Sequence, residues 1–216
     1  RALAFLESID PDPQWNELAE RVRRSVHELF LLKGHGYLAD CLCAGPGRPA
    51  REAVQDDALR PNQLLAVTLG VVQEPAVCAG ILSACEELLV PGAIRSLADR
   101  PVTCELPVYH QGRLLNNPSR PYWGRYAGDE DTARKPAYHN GTAWTWLFPS
   151  FSEALYLTCG REVRDAALSI LSSAVSLMNT GCLGHIPEIV DGDYPHSQRG
   201  CGAQAWGETE LFRVVS

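Results

Sequence analysis

The sequence predicts an all-α fold, because apolar residues recur at spacings of three and four along most of its length. The composition is globular, with 45% hydrophobic and 21% charged residues among 216. A chain of this length buries about 70% of the surface that it exposes when unfolded. Only CELPVYH at 104–110 suggests extended structure, as a short strand or a hairpin with the following QGRLL.

The predicted helices follow one another along the chain. RALAFL at the start has the pattern of a helix already under way, and AQAWGETELFRV at 203–214 is the last helix. Pro61 and Pro75 stand where the first turn of a helix tolerates proline. Between these two helices, four sets of apolar residues with helical spacing predict further helices. The sets are Leu18, Val22, Val26 and Leu29; Val77, Ile81, Cys85 and Leu88; Trp144, Leu147, Phe151 and Leu155; and Val163, Ala167, Leu171, Val175 and Met178.

Long loops at 34–59, 99–140 and 180–202 separate these helices. Loops of this length are uncommon in compact domains and are usually either functional or disordered. The aromatic residues in them argue against disorder: Tyr122, Trp123, Tyr126, Tyr138 and Tyr194. We therefore expect antiparallel helix pairs joined by long, ordered loops.

Charge and targeting signals exclude several classes of partner. The net charge is −7 without a block of like charges, so nucleic acid and anionic lipid are not predicted partners. The sequence has no signal peptide and no run of about 18 apolar residues that would span a membrane. The eight cysteines are widely and irregularly spaced without a C-x-x-C motif. We expect free, mostly buried thiols, with Cys78, Cys85 and Cys159 on apolar helix faces, and a reducing, cytoplasmic location.

No metal site is predicted from the acids or cysteines. Asp191-Gly-Asp193 resembles the start of a calcium loop, but the Tyr194 and Pro195 that follow break the pattern. Cys41 and Cys43 read C-L-C, which does not match the spacing of a zinc knuckle. We expect Asp191 and Asp193, together with His196, to support the loop around them.

Glu188 is the best candidate for proton transfer. It follows Pro187 and lies between Ile186 and Ile189, and apolar neighbours of this kind partly desolvate a carboxylate and ready it for acid–base chemistry. The plainer alternative is a structural acid that caps a turn.

Polar residues precede two predicted helices, at LRPNQ (59–63) and in AYHNGTAWTWL (137–147), where a helix is expected after Gly141. Side chains there face whatever lies over the helix end. Trp144 and Trp146 are two residues apart and cannot share a helix face, so we expect one in the core and one at the pocket. Aromatic rings with amide and imidazole groups suit a neutral sugar. Alternatively, Arg60 forms a surface ion pair, and the amides of 62–63 only cap the helix.

The three motifs together resemble the glucosidase domain of glycogen debranching enzymes, the amylo-α-1,6-glucosidase family. The matching segments are LRPNQ (59–63), the run from YWGRYAGD to AYHNGTAWTWL (122–147), and GCLGHIPEIVDGDYPH with GCGAQAW (181–206). The resemblance extends over residues 1–216.

The resemblance implies an (α/α)₆ toroid of helical hairpins that removes the single glucose left at an α-1,6 branch point of glycogen or a related glucan. It also implies inversion, in which an acid and a base stand about 6.5–9.5 Å apart. Glu188, in the family's P-E-I/L segment, is the implied general base, and no cofactor is required. The expected sugar-contacting residues are Arg60, Asn62, Gln63, Tyr138, His139, Asn140, Gly141, Thr142, Trp144, Gln204 and Trp206.

The chain departs from the family pattern in two respects. The T-W-M-D-A segment that carries the family's general acid is missing, and we expect it N-terminal to Arg1, so that residues 1–216 form the C-terminal part of one catalytic domain. His139-Asn140-Gly141 reads H-Q-G in many relatives, and the shorter Asn140 is expected to change contact with a sugar hydroxyl.

Two other functions remain open. Without the acid, the chain is a glucan-binding fragment that does not cut. Another helical-toroid enzyme, such as a different exo-glycosidase or a lyase, is the third possibility, although a lyase needs positive charge for its anionic sugar. An incomplete toroid exposes apolar helix faces, which predicts self-association or packing against a missing N-terminal part.

Overall fold

The computed structural model describes residues 2–216, and most of their regular structure is helical, as the periodicity predicts. The α-helices of this range are α1 (Ala2–Ile9), α2 (Pro13–Phe30), α3 (Leu64–Thr68), α4 (Pro75–Glu86), α5 (Phe148–Cys159), α6 (Arg164–Ser172), α7 (Val175–Met178) and α8 (Ala205–Val215). Tighter 3-10 turns lie at Ala50–Glu52, Pro61–Gln63, Lys135–Ala137 and Arg161–Val163, and a π-helical turn at Glu130–Arg134.

Proline residues mark the starts of α2 and α4 and of the turn before α3. Pro13 and Pro75 occupy the first turns of α2 and α4, and the Asp12 side chain accepts a hydrogen bond from the Gln14 amide at the start of α2. Pro61 opens the turn that leads into α3. The fourth apolar stripe divides into α6 and α7, with a turn between them.

The expectation of an all-α fold is wrong in one respect, because short strands occur between the helices. The strands are β1 (Leu31–Leu32), β2 (Tyr37–Leu38), β3 (Leu42–Cys43), β4 (Val54–Gln55), β5 (Leu89–Val90), β6 (Ala93–Arg95), β7 (Tyr109–His110), β8 (Arg113–Leu114), β9 (Thr142–Trp144), β10 (Ile189–Asp191) and β11 (Gln198–Arg199). Five of them form an antiparallel sheet in the order β11-β10-β9-β6-β5. The pair β7–β8 is the hairpin that was predicted near 104–115.

The helix expected directly after Gly141 is replaced by β9, and α5 begins only at Phe148. Trp144 pairs with Ile94 on one side and with Ile189 on the other, so tertiary pairing overrides the helical spacing read from the sequence. Strands of two or three residues are too short to show a period of two. The expectation that one of Trp144 and Trp146 lies in the core and the other at the pocket is also wrong, because both line the same cavity.

The main apolar core forms where α3, α4 and α5 pack together. Ile81 and Cys85 of α4 are fully buried there, as is Phe148 at the start of α5. The sheet adjoins this core through Ile94, which is also fully buried. The sheet is thereby fixed against the helices, and both elements position the loops described below.

The cysteines are free, but the expectation that most of them are buried is wrong. Only Cys78, Cys85 and Cys104 are buried, whereas Cys159 is exposed at the end of α5. Loss of hydration around the thiol, together with the neighbouring Cys43 thiol and Asp56, raises the pKa of Cys41 to about 12. Among residues 2–216, none of the helices combines the length and apolar character that crossing a bilayer requires.

Candidate functional site

A cavity of about 490 Å³ brings together side chains from all three of the predicted polar motifs. The motif at 59–63 contributes the turn before α3, the segment 137–147 contributes β9 and its flanks, and the third motif contributes the start of α8. The residues that line the cavity are Asp40, Arg60, Pro61, Asn62, Ile94, Ser96, His139, Asn140, Trp144, Trp146, Leu147 and Trp206.

Two stacked ring pairs form the apolar part of this lining. Trp146 and Trp206 stack with their ring centroids 4.3 Å apart at an angle of 16°. His139 and Trp144 stack at 5.7 Å and 8°. Trp206 is half exposed, so its ring is accessible to a ligand. Flat aromatic surfaces of this kind bind the apolar C–H faces of sugar rings.

Arg60 organises the polar part of the lining. Its Nε donates to Asp40 Oδ2 at 2.8 Å, and one Nη donates to Asn140 Oδ1 at 2.8 Å. The other Nη donates to the carbonyls of Ser96 and His139, at 3.2 and 3.4 Å. The guanidinium also lies over the Tyr122 ring, 4.8 Å from its centroid. Arg60 therefore joins three segments of the chain, and its side chain is only 14% exposed. The alternative of a simple surface ion pair does not describe it.

Asp40 is a cavity residue that sequence reasoning missed. It lies in the 34–59 loop, which the motifs did not single out, and its carboxylate accepts hydrogen bonds from Arg60 and, at 3.4 Å, from Asn62 Nδ2. Burial raises the pKa of Asp40 in spite of the opposing effect of Arg60. The only signal available was its position after the apolar run YLA, which is weak evidence for a site.

Two hydrogen bonds hold the Glu188 carboxylate beside Tyr138. Tyr138 Oη donates to Glu188 Oε1 at 2.6 Å, and the Cys201 amide donates to Oε2 at 3.0 Å. Gly200 has a φ of 69°, and a Cβ at this position would collide with the Glu188 carboxylate, so glycine permits the close approach. Burial, followed by the Glu188 hydrogen bond and charge, raises the pKa of Tyr138, which keeps its hydroxyl a donor.

The Tyr138 side chain connects Glu188 to the residues that line the cavity. The Tyr138 ring makes edge contacts with both His139 and Trp144, at centroid distances of 5.0 and 5.5 Å. Among the described residues, the cavity lining includes neither Glu188 nor Tyr138. The predicted base therefore does not line the cavity, and the Tyr138 ring separates it from the residues that do.

Four other predicted contact residues lie in the framework of the site. Thr142 is fully buried, and its hydroxyl donates to the Tyr138 carbonyl at 2.6 Å. Gly141 is buried against the backbone of 125–126, where a Cβ would collide. Both ends of the Gln63 amide are bonded, to the Leu38 amide and the Arg60 carbonyl. Gln204 precedes α8, and its Oε1 is buried without a partner among the described residues. Direct sugar contact by these four stays a prediction.

Asp191 and Asp193, in the 180–202 loop, form ion pairs with arginines, three of which come from other segments of the chain. Asp191 accepts from Arg134 at 3.0 Å and from Arg199 at 3.1 Å, with its side chain 13% exposed. Asp193 accepts from Arg95 and from Arg125, both at 3.0 Å. The His196 ring contacts the Asp191 carbonyl, with its Nδ1 at 3.0 Å. These contacts are the kind expected of residues that support the loop.

Replacement of Asp193 by Asn tests this support. The Arg95 hydrogen bond, followed by the charges of Arg95 and Arg125, holds the pKa of Asp193 below its usual value. The native state therefore binds this proton more weakly than the unfolded chain does, and the stabilisation exists above the unfolded pKa of about 3.9 and is lost as the pH falls below it. Since the side chain is 46% exposed, we expect D193N to lower the free energy of unfolding by less than about 1 kcal/mol at pH 7.

Urea denaturation of both proteins at neutral pH and near pH 3 measures this difference. The gap between wild type and D193N is expected to close at the lower pH. A gap of the same size at both pH values contradicts the ion-pair explanation.

No curated protein matches the chain. The family model described as amylo-alpha-1,6-glucosidase matches residues 2–213, nearly the whole chain. The chain therefore belongs to the amylo-alpha-1,6-glucosidase family, a group of glycogen debranching-type glycosidase domains.

Proposed function

We propose that this chain is part of a glycoside hydrolase that cleaves single α-1,6-linked glucose stubs from glycogen or a related branched glucan. The observation that carries the proposal is the cavity, in which two stacked aromatic pairs stand beside amide and carboxylate groups. Aromatic faces and neutral hydrogen-bonding groups are what a neutral sugar requires. We also propose that the helices form the C-terminal part of an (α/α)₆ toroid, in a cytoplasmic enzyme.

In the proposed mechanism, the reaction proceeds with inversion and Glu188 is the general base. It takes a proton from the water that attacks the anomeric carbon, while a carboxylic acid outside this chain protonates the leaving oxygen. Tyr138 and the Cys201 amide fix the Glu188 carboxylate, which supports the proposal because a base must be held in one orientation. No cofactor takes part in this scheme.

A second candidate is a glucan-binding unit without catalysis. The position of Glu188 behind Tyr138, outside the cavity lining, favours it. A lyase that acts on uronates is disfavoured, because Arg60 already donates hydrogen bonds to Asp40, Asn140 and two carbonyls. Its charge is thus engaged within the protein and not open to an acidic sugar.

Glucose release from a branched limit dextrin by the intact protein separates these candidates. Release of glucose that is initially the β-anomer, observed by proton NMR, supports inverting hydrolysis. Dextrin binding without release supports the binding unit. Absence of both overturns the proposal.

The stacked tryptophans provide a test of sugar binding that does not depend on catalysis. We expect Trp206→Ala to weaken dextrin binding by about tenfold, because an aromatic pair contributes about 0.5–1.5 kcal/mol beyond its buried area. Trp123→Ala is the matched control, since Trp123 is exposed to a similar degree, 55% against 50%, and does not line the cavity. Isothermal titration of both variants measures the effect. Equal affinities for the two variants would remove Trp206 from the sugar site.

A further inference from the structure

Two thiols and two carboxylates converge beside the cavity, at the start of β3. Cys41 Sγ lies 3.9 Å from Cys43 Sγ and 3.8 Å from Asp56 Oδ2. The donor atoms of Asp40, Cys41 and Asp56 all lie within 4.8 Å of one another. The C-L-C spacing alone did not predict a metal site, because Asp56 comes close to Cys41 only through the pairing of β3 with β4.

Two of these separations, from Cys41 to Cys43 and from Cys41 to Asp56, agree with the geometry of a tetrahedral zinc site. With Zn–S bonds of about 2.3 Å and tetrahedral angles, two ligand sulfurs are about 3.8 Å apart. A sulfur and a carboxylate oxygen at about 2.1 Å from the metal are about 3.6 Å apart. The distances of 3.9 and 3.8 Å in the structure differ from these values by only a few tenths of an ångström.

The carboxylates are already held in place by hydrogen bonds from neighbouring groups. Asp56 is fully buried, its Oδ1 accepts from the Ala58 amide at 3.0 Å, and the Tyr122 hydroxyl donates to its Oδ2. Asp40 is oriented by Arg60. Outer partners of this kind orient the ligands of metal sites and tune their affinity. The two acids outnumber the single positive charge of Arg60, which favours a cation.

We propose that Asp40, Cys41 and Asp56 bind a divalent cation of the zinc class, with Cys43 as the fourth donor. Binding forms two metal–sulfur bonds and transfers the two thiol protons to solvent, so charge and atoms balance without any oxidant. Thiolate ligands select zinc-like cations over magnesium or calcium. An occupied site would join β3 and β4 and stabilise the folded state increasingly as the metal concentration rises above the Kd.

Titration of the reduced, intact protein with Cd²⁺ tests the proposal, because thiolate-to-cadmium charge transfer has its own ultraviolet absorption band. Cys41→Ser and Cys43→Ser suit the test, since Cys41 is exposed and Cys43 half-buried and neither replacement opens the core. The loss of an outer-shell partner alone weakens metal sites by about 10–100-fold, so the loss of either thiol is expected to raise the Kd by at least about 100-fold.

The double variant Cys159→Ser/Cys182→Ser is the control, because it removes two exposed thiols elsewhere. Wild type and this control are expected to bind one Cd²⁺ and to show a higher Tm with Cd²⁺ or Zn²⁺, whereas C41S and C43S lose both effects. The proposal is overturned if wild type shows no charge-transfer band. It is equally overturned if C41S and C43S keep the band and the Tm shift.

Discussion

If the proposed mechanism holds, Glu188→Gln in the intact protein is expected to lower kcat for glucose release from a branched dextrin by at least about a thousandfold, with little change in dextrin binding. The reason is that an amide cannot take the proton from the attacking water, and a positioned base contributes about 10²–10⁴ in rate. The new amide side chain retains the local hydrogen bonds, because its oxygen accepts from the Cys201 amide and its nitrogen donates to the Tyr138 hydroxyl, which can rotate. The folded structure is thus preserved while the proton acceptor is lost.

The chain offers a closely matched control for this experiment. Glu130 accepts a hydrogen bond from Tyr126 at 3.1 Å, much as Glu188 accepts one from Tyr138, and the two tyrosine rings are in contact. Glu130→Gln therefore changes a tyrosine-bound glutamate in the same aromatic cluster, at an exposed position outside the cavity lining. We expect its kcat to stay within about twofold of wild type. Near-normal turnover by E188Q would remove Glu188 from the role of base, whatever the result for E130Q.

Loss of turnover by E188Q with unchanged dextrin binding would also indicate where Glu188 lies relative to the bound sugar. If E188Q binds dextrin as wild type does, the cavity lined by the ring pairs holds the sugar without help from the carboxylate. For the reaction to proceed, the attacking water must then fit into the space between the cavity and Tyr138. If E188Q instead loses both dextrin binding and turnover, Glu188 contacts the sugar itself.

The sequence predicted the helices well because long amphipathic segments carry their own signal. α2 and α4 follow directly from apolar spacing, and Pro75 marks the start of α4. The sheet was missed because β9 and its neighbours are at most three residues long, and their stability comes from pairing with distant strands. The local pattern of 142–147 is compatible with a helix, and only the strands on both sides decide otherwise.

The sequence predicted those residues of the candidate site that lie within recognisable motifs. His139, Asn140, Trp144 and Trp206 do line the cavity. Asp40 was missed because a single acid after an apolar run carries no motif, and its role depends on Arg60, twenty residues away. Sequence spacing does not give such pairings.

Removal of Arg60 is expected to have the largest effect on stability among the substitutions considered. Arg60→Ala leaves Asp40 buried without its cation, since the two side chains are only 14% and 16% exposed. Breaking a buried ion pair from one side costs about 3–5 kcal/mol, and partial exposure places the expected loss at about 3 kcal/mol. Urea denaturation measures it. Arg48→Ala removes an exposed pair with Glu52 and is expected to cost less than about 0.5 kcal/mol.

The double variant Arg60→Ala/Asp40→Asn identifies the cause of that loss. If the unpaired carboxylate is responsible, neutralising it returns part of the stability. The double-mutant cycle, formed by wild type, the two single variants and the double variant, then shows a coupling energy of about 1–3 kcal/mol. If the effects of the two replacements simply add, the loss comes from the hydrogen bonds to Asn140 and the two carbonyls, not from the charge.

Arg60→Lys separates charge from geometry at the same position. Lysine keeps the positive charge beside Asp40, but it lacks the planar fork that reaches Asp40, Asn140 and two carbonyls at once. We therefore expect R60K to retain most of the stability that R60A loses, yet to bind dextrin more weakly than wild type, because Asn140 and Asp40 are no longer held in the orientation that a sugar meets. Wild-type affinity in R60K would show that charge alone organises the cavity, and that the fork serves only the fold.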